Sequence, residues 1–102
     1  MPYFVLSYEL VNDYVNRRTP FREQHLQLAH EAHRRGELIL GGALSDPADR
    51  ALLVFRAPYR SIVEDFAKND PYVTNALVLK WEVRPWTVVI GDQPEVAMVP
   101  KV

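Results

Sequence analysis

The chain has 102 residues, 12 basic and 13 acidic side chains, and no cysteine. This length fits one domain, and the lack of cysteine excludes disulfides and thiolate metal sites. A formal net charge of −1 gives no basic field for nucleic acid, and no apolar run approaches the roughly 18 residues of a membrane span. With no signal-peptide pattern at the N-terminus, we expect a cytoplasmic protein that binds neither nucleic acid nor membranes.

The first half of the chain predicts a strand, a helix and a second strand. Residues 3–8 are aromatic and β-branched, and because they are apolar on both faces the strand should be central in its sheet. Polar residues 12–18 predict a connection. The helix should begin at Thr19-Pro20, a cap followed by proline, and Gly36 should end it. Residues 38–44 predict the second strand.

The second half predicts a loop, a strand, a helix and a last strand, at residues 45–50, 51–56, 61–70 and 77–84. Ser61 and Glu64 fit a capping box at the start of this helix, and the proline after Asp70 should end it. In the last strand alternate residues are apolar and face one way: Leu77, Leu79, Trp81 and Val83. Pro85 should end the strand. Residues 87–90 predict one further short strand.

The predicted order βαββαβ defines an α+β, ferredoxin-like fold. Two right-handed crossovers give a four-stranded antiparallel sheet with both helices on one face. We expect this domain to span residues 1–90, with 91–102 as a C-terminal tail. The other sheet face would expose apolar residues, which soluble monomers rarely do. The simplest cover is a second copy, which predicts a homodimer or a higher oligomer.

Two polar residues stand where packing alone would favour hydrophobes. His25 lies on the apolar stripe of the first helix and Asp70 on that of the second. Because burying a polar ring without a partner is costly, the two should share a pocket. His25 is a candidate general base, nucleophile or metal ligand, or else a core histidine bonded to a backbone carbonyl. Asp70 either orients His25 or simply ends a helix before proline.

Other side chains are candidates for the same pocket. Asp46, in the loop after the second strand, is either a second possible partner of His25 or a turn former. Arg22 either binds a carboxylate or phosphate or forms a surface ion pair, and Tyr72 is either a pocket wall or plain packing. His30 and His33 are three residues apart but point away from the apolar stripe, so we predict no metal site. The sequence carries no organic-cofactor motif.

Five segments, in this order and spacing, carry a family resemblance: Arg22–His25, Gly36–Gly42, Ala51–Arg56, Asn69–Val73 and Trp81–Trp86. Together they resemble the YciI-like family, whose members carry a YCII-related domain. The resemblance implies a dimeric α/β barrel with a histidine and an aspartate in its pocket, at positions that match His25 and Asp70. Many members have Gly-Pro where this chain has Gly42-Ala43, and glycine in place of Ala76. Both positions should lie at the pocket rim, which makes Gly42 a candidate substrate contact.

These observations predict an enzyme that acts on a small anionic organic molecule. Isomerisation, elimination or hydrolysis would suit the pair, with His25 moving a proton, since imidazole titrates near neutral pH. Asp70 or Asp46 would fix its tautomer. One alternative is a non-catalytic ligand-binding or regulatory module that uses the same pocket. Another is a small accessory subunit that works through its dimer surface. We expect no cofactor.

Overall fold

The computed structural model describes residues 1–91, which contain four strands and four α-helices. The elements are β1 (Tyr3–Leu10), α1 (Tyr14–Arg17), α2 (Arg22–Arg34), β2 (Leu38–Ala43), β3 (Arg50–Arg56), α3 (Arg60–Asn69), α4 (Pro71–Thr74) and β4 (Val78–Trp86). Within this described part, no helix is both long and apolar enough to cross a bilayer. Apart from residue 91, the predicted tail lies outside the described residues.

The sheet is four-stranded and antiparallel in the order β2-β3-β1-β4, so β1 is central as predicted. Alternate β1 side chains, including Phe4, Leu6 and Tyr8, are buried against the helices, while Val5 and Ser7 lie on the opposite face. This pattern places the core between the sheet and one helical layer. The predicted ferredoxin-like α+β fold is therefore confirmed.

The first helical segments differ from the prediction. Residues 12–18 contain the short helix α1 instead of a plain connection. Thr19–Phe21 form a 3-10 turn, so α2 begins at Arg22 and not at Pro20. The predicted capping box is also absent, because the extended residue Tyr59 already starts α3 and leaves Ser61 inside the helix.

The last strand departs from simple alternation. Pro85 lies within β4, opposite Phe4, because β4 is an edge strand and a missing N–H on its outer side breaks no ladder bond. A register shift next to Leu10 makes Leu79 an extra residue in β4, and its side chain is 71% exposed. The prediction that Leu79 packs with its apolar neighbours was therefore wrong. Residues 87–90 form no strand.

Two helices end in the same left-handed turn, one on glycine and one on alanine. Gly36, after α2, has φ 79°, and the amides of Gly36 and Glu37 donate to the carbonyls of His33 and Ala32. Ala76, after α4, has φ 60° and its turn makes the equivalent bonds. Both are Schellman motifs, in which glycine avoids the strain that a Cβ brings.

We expect Ala76→Gly to raise the free energy of unfolding by about 0.5–1 kcal/mol, because the relief of left-handed strain exceeds the entropic cost of glycine. Gly36→Ala should lower the free energy of unfolding by a similar amount, because it introduces a Cβ at a left-handed position. Urea unfolding of the two variants measures both. Destabilisation by Ala76→Gly would show that the turn is not strained.

Candidate active site

His25 and Asp70 meet at the centre of the site. Nδ1 of His25, on α2, lies 2.8 Å from Oδ1 of Asp70, which follows α3. The Asp70 side chain is fully buried, whereas the His25 side chain retains 15% exposure. Because an ionised carboxylate only accepts hydrogen bonds, the proton of the neutral imidazole lies on Nδ1. The lone pair is then on Nε2, the nitrogen left for a ligand.

Asp70 is held by three donors and by the backbone around it. Besides His25, the Tyr8 hydroxyl donates to Oδ2 over 2.7 Å and the Tyr72 amide donates to Oδ1 over 2.9 Å. Asp70 is extended, ends α3 and caps α4, with Pro71 as the first residue of α4. The carboxylate is therefore satisfied at the point where one helix stops and the next begins.

Tyr8 was not identified from the sequence. It lies on the helix-facing side of β1 with Phe4 and Leu6, so its position indicates only core packing. Burial, and then the negative charge of Asp70, raise the pKa of Tyr8 far above its ordinary value. Its hydroxyl therefore stays protonated and donates to Asp70. A tyrosine among apolar residues was the available signal, since a buried hydroxyl needs a partner.

Two tyrosine rings hold the imidazole in place, one directly and one through the other. The rings of His25 and Tyr72 are stacked, with centroids 3.8 Å apart and planes within 9°. Tyr14 meets Tyr72 edge to face at 5.7 Å, and the Arg18 guanidinium lies 5.2 Å from the Tyr14 ring centre. This packing, together with the bond to Asp70, restricts the rotation of His25.

A cavity of about 380 Å³ opens beside His25, between α2 and β2. Its charged or titratable lining residues other than tyrosine are all basic: Arg18, Arg22, His25, His30 and His33. Within residues 1–91, no aspartate or glutamate lines it, although the whole chain has a net charge of −1. A concave surface with basic groups of this kind favours an anionic ligand.

The second and third histidines were misplaced by the sequence prediction. His30 and His33 line the cavity, and Nδ1 of His33 donates to the Leu38 carbonyl over 2.7 Å. They face a gap between α2 and β2 that a helical stripe alone does not reveal. Within residues 1–91, no group of three or more His, Cys, Asp or Glu residues is arranged to hold a metal ion.

The remaining predicted site residues divide into two groups. Arg22, Tyr72 and Gly42 all line the cavity. A Cβ on Gly42 would meet no atom within 4 Å, so packing within one chain does not require glycine there. Asp46 lies in an exposed loop, outside the cavity lining. Within one chain, the carboxylate that contacts His25 is Asp70 and not Asp46.

A four-stranded antiparallel sheet with helices on one face and its other face open defines the ferredoxin-like α+β class of this chain. Within that class, the chain belongs to the family defined by the YCII-related domain, whose sequence model matches residues 1–87. No functionally curated protein matches the chain.

Solved structures share the fold at low sequence identity. The 5-chloro-2-hydroxyhydroquinone dehydrochlorinase TftG from Burkholderia phenoliruptrix AC1100, in complex with 2,5-dihydroxybenzoquinone, is 17% identical with a TM-score of 0.69, covering 82% of this chain and 92% of that one. Protein Atu4242 from Agrobacterium tumefaciens is 14% identical, with a TM-score of 0.56 and coverage of 84% and 91%. An antibiotic biosynthesis monooxygenase is 12% identical, with a TM-score of 0.51 and coverage of 84% and 96%. These likenesses show a shared fold.

Proposed function

We propose that the chain is an enzyme that transfers a proton on a small anionic organic molecule, with His25 as the acid–base group. The contact between His25 Nδ1 and Asp70 Oδ1 carries this proposal, because it fixes the tautomer that leaves Nε2 basic. A neutral imidazole oriented by a buried carboxylate is an established arrangement for proton transfer.

The pair would work in both directions of a proton transfer. Neutral His25 takes a proton from the substrate at Nε2 and becomes an imidazolium, which the negative charge of Asp70 stabilises. His25 then returns the proton to another atom of the substrate or gives it to a leaving group. Asp70 acts as the hydrogen-bond acceptor throughout, since three donors point at its oxygens. Isomerisation and elimination fit this cycle, and hydrolysis fits it when the proton that His25 takes comes from a water molecule that attacks the substrate.

The cavity supports a small anionic substrate. Its volume of about 380 Å³ suits a molecule of modest size, and its basic lining attracts negative charge. We assign Arg22, Tyr72 and Gly42 as substrate contacts because they line the space next to His25. TftG, which shares this fold, is described as a dehydrochlorinase in complex with 2,5-dihydroxybenzoquinone. Hydroxyquinones are therefore sensible first compounds to test, together with lactones and halogenated acids.

A panel of these compounds tests the proposal by turnover and by its dependence on pH. The rate should rise with pH and then level off, because only the neutral His25 ring accepts a proton and the neutral fraction grows as pH rises. A rate that falls as the pH rises would contradict the role of His25 as a base. Saturable binding of several compounds without turnover of any would instead identify a ligand-binding module.

We also propose that the open sheet face forms a homodimer. This face carries Val5, Leu40, Leu52 and Val54. Val54 pairs with Val5 on one neighbouring strand and with Leu40 on the other. Leu40 is 71% exposed and Trp86, at the end of β4, is 48% exposed. A contiguous apolar surface of this kind is unusual in a soluble monomer.

Sedimentation at micromolar concentration should give a species of twice the 11.8 kDa chain mass. Leu52→Glu should shift it to monomer, because it places a charge in the apolar face. Val15→Glu is the matched control, since Val15 is 49% exposed on α1, on the helical side of the molecule. A wild-type protein that sediments only as a monomer would contradict the dimer.

A further inference from the structure

One buried hydroxyl in the cavity wall has no acceptor for its proton. The Tyr72 hydroxyl is buried, and the Arg22 guanidinium acts on its oxygen, but among the described residues no acceptor is in place for its proton. Tyr8, in the same cluster, donates its hydroxyl to Asp70. Buried hydroxyls in proteins are nearly always bonded, so one that is left open in a ligand cavity points to a group supplied by the ligand. Tyr72 is one of the residues that line the cavity.

The charges around Tyr72 favour a negatively charged oxygen at this point. Burial, and then the neighbouring Tyr14, raise the pKa of Tyr72, whereas the positive charges of Arg22 and Arg18 act to lower it. The net effect is a raised pKa, so the hydroxyl keeps its proton at neutral pH and can donate it in a hydrogen bond. Both arginines line the cavity, and no acidic residue in the described part of the chain does.

We propose that the Tyr72 hydroxyl, assisted by Arg22 and Arg18, binds the carbonyl oxygen of the substrate and stabilises the enolate that forms there. This inference rests on the proposed proton transfer at His25 and names the substrate class: carbonyl compounds with a C–H bond next to the carbonyl. The Tyr72 and His25 rings are stacked 3.8 Å apart. Because the rings are in contact, one small molecule in the cavity can reach both the Tyr72 hydroxyl and His25.

The chemistry of carbon acids explains why such a group is needed. Imidazole is too weak a base to remove a proton next to a carbonyl unless the developing negative charge is stabilised at the same time. In the step, the C–H bond breaks and its proton goes to Nε2 of His25. The C–H electron pair forms a C=C bond, and the C=O π pair moves onto the oxygen that accepts the bond from Tyr72. The reverse movement places the proton on another carbon or expels a leaving group.

Equilibrium binding of 4-nitrophenolate tests the site without any turnover, because this anion mimics an enolate oxygen on a planar frame. The ionised form absorbs visible light, so spectrophotometric titration reports both affinity and ionisation state. We expect Tyr72→Phe to weaken binding by about tenfold or more, the usual scale for losing a hydrogen bond to a charged group. Tyr59→Phe is the matched control, since Tyr59 is exposed outside the cavity; it should leave affinity unchanged.

Arg22→Gln provides a second variant at an exposed position, where misfolding is not expected. This variant should bind 4-nitrophenolate more weakly than wild type and bind neutral nitrobenzene with unchanged affinity. Equal affinity of wild type and Tyr72→Phe for the phenolate, or no binding by wild type, would overturn the inference. If the wild-type protein binds 4-nitrophenolate through Tyr72 but turns over no compound of the panel, the proposed function is overturned and the anion site remains.

Discussion

Replacing His25 with asparagine should lower kcat/KM of the proton transfer by about 10²- to 10⁴-fold, the usual contribution of a positioned acid–base group. The asparagine amide can still donate to Asp70, so the buried carboxylate keeps a partner. The asparagine side chain has no basic nitrogen at the position of His25 Nε2. We therefore expect the melting temperature to stay within a few degrees of wild type while turnover is lost.

His30→Asn is the control for this variant. His30 lies on the same helix and lines the same cavity, but it makes no contact with Asp70. Its replacement should change kcat/KM far less than that of His25. Steady-state rates and thermal unfolding of both variants provide the comparison. Equal losses in the two variants would show that the cavity depends on its overall positive charge and not on the His25–Asp70 pair.

Asp70 should account for the largest effect on stability of any single polar side chain in the site. Asp70→Ala removes the acceptor of two buried donors, the Tyr8 hydroxyl and the Tyr72 amide, and of the His25 ring. Leaving buried donors unsatisfied costs about 1–3 kcal/mol for each group. We expect the free energy of unfolding to fall by about 3 kcal/mol or more, as measured by urea denaturation.

A double-mutant cycle with Tyr8 separates this effect from simple loss of volume. Tyr8→Phe alone should cost about 1–2 kcal/mol, because one oxygen of Asp70 loses its donor. In the Asp70→Ala background the same change should cost much less, or even stabilise, since the hydroxyl no longer has an acceptor. Additive losses would mean that the 2.7 Å bond contributes nothing to stability.

The sequence predicted the central pair because both of its members interrupt an apolar helical stripe. His25 and Asp70 were expected to meet, and Nδ1 and Oδ1 do so at 2.8 Å. Tyr8 was missed since a tyrosine on a buried strand face is ordinary core packing until its hydroxyl partner is known. The partner lies 62 residues away along the chain, a tertiary relation that no local pattern contains.

Other misses have equally specific physical causes. Leu79 was assigned to the packed face of β4, but a register shift, which follows from pairing with β1, turns it outward. His33 was excluded because helical periodicity places it off the stripe, yet the gap between α2 and β2 brings it to the cavity. Asp46 is the second candidate partner of His25 by sequence, after Asp70, and the path of its loop leaves it exposed outside the cavity lining.

Exchange of carbon-bound hydrogen for deuterium tests most directly whether the His25–Asp70 pair moves protons. Each compound of the hydroxyquinone, lactone and halogenated-acid panel is incubated with the protein in D₂O and followed by proton NMR, which needs no knowledge of the final product. At least one compound should lose a C–H signal faster than in buffer alone, and with His25→Asn the exchange rate should return to that in buffer. No acceleration of exchange for any compound, or undiminished exchange in His25→Asn, would contradict proton transfer by this pair.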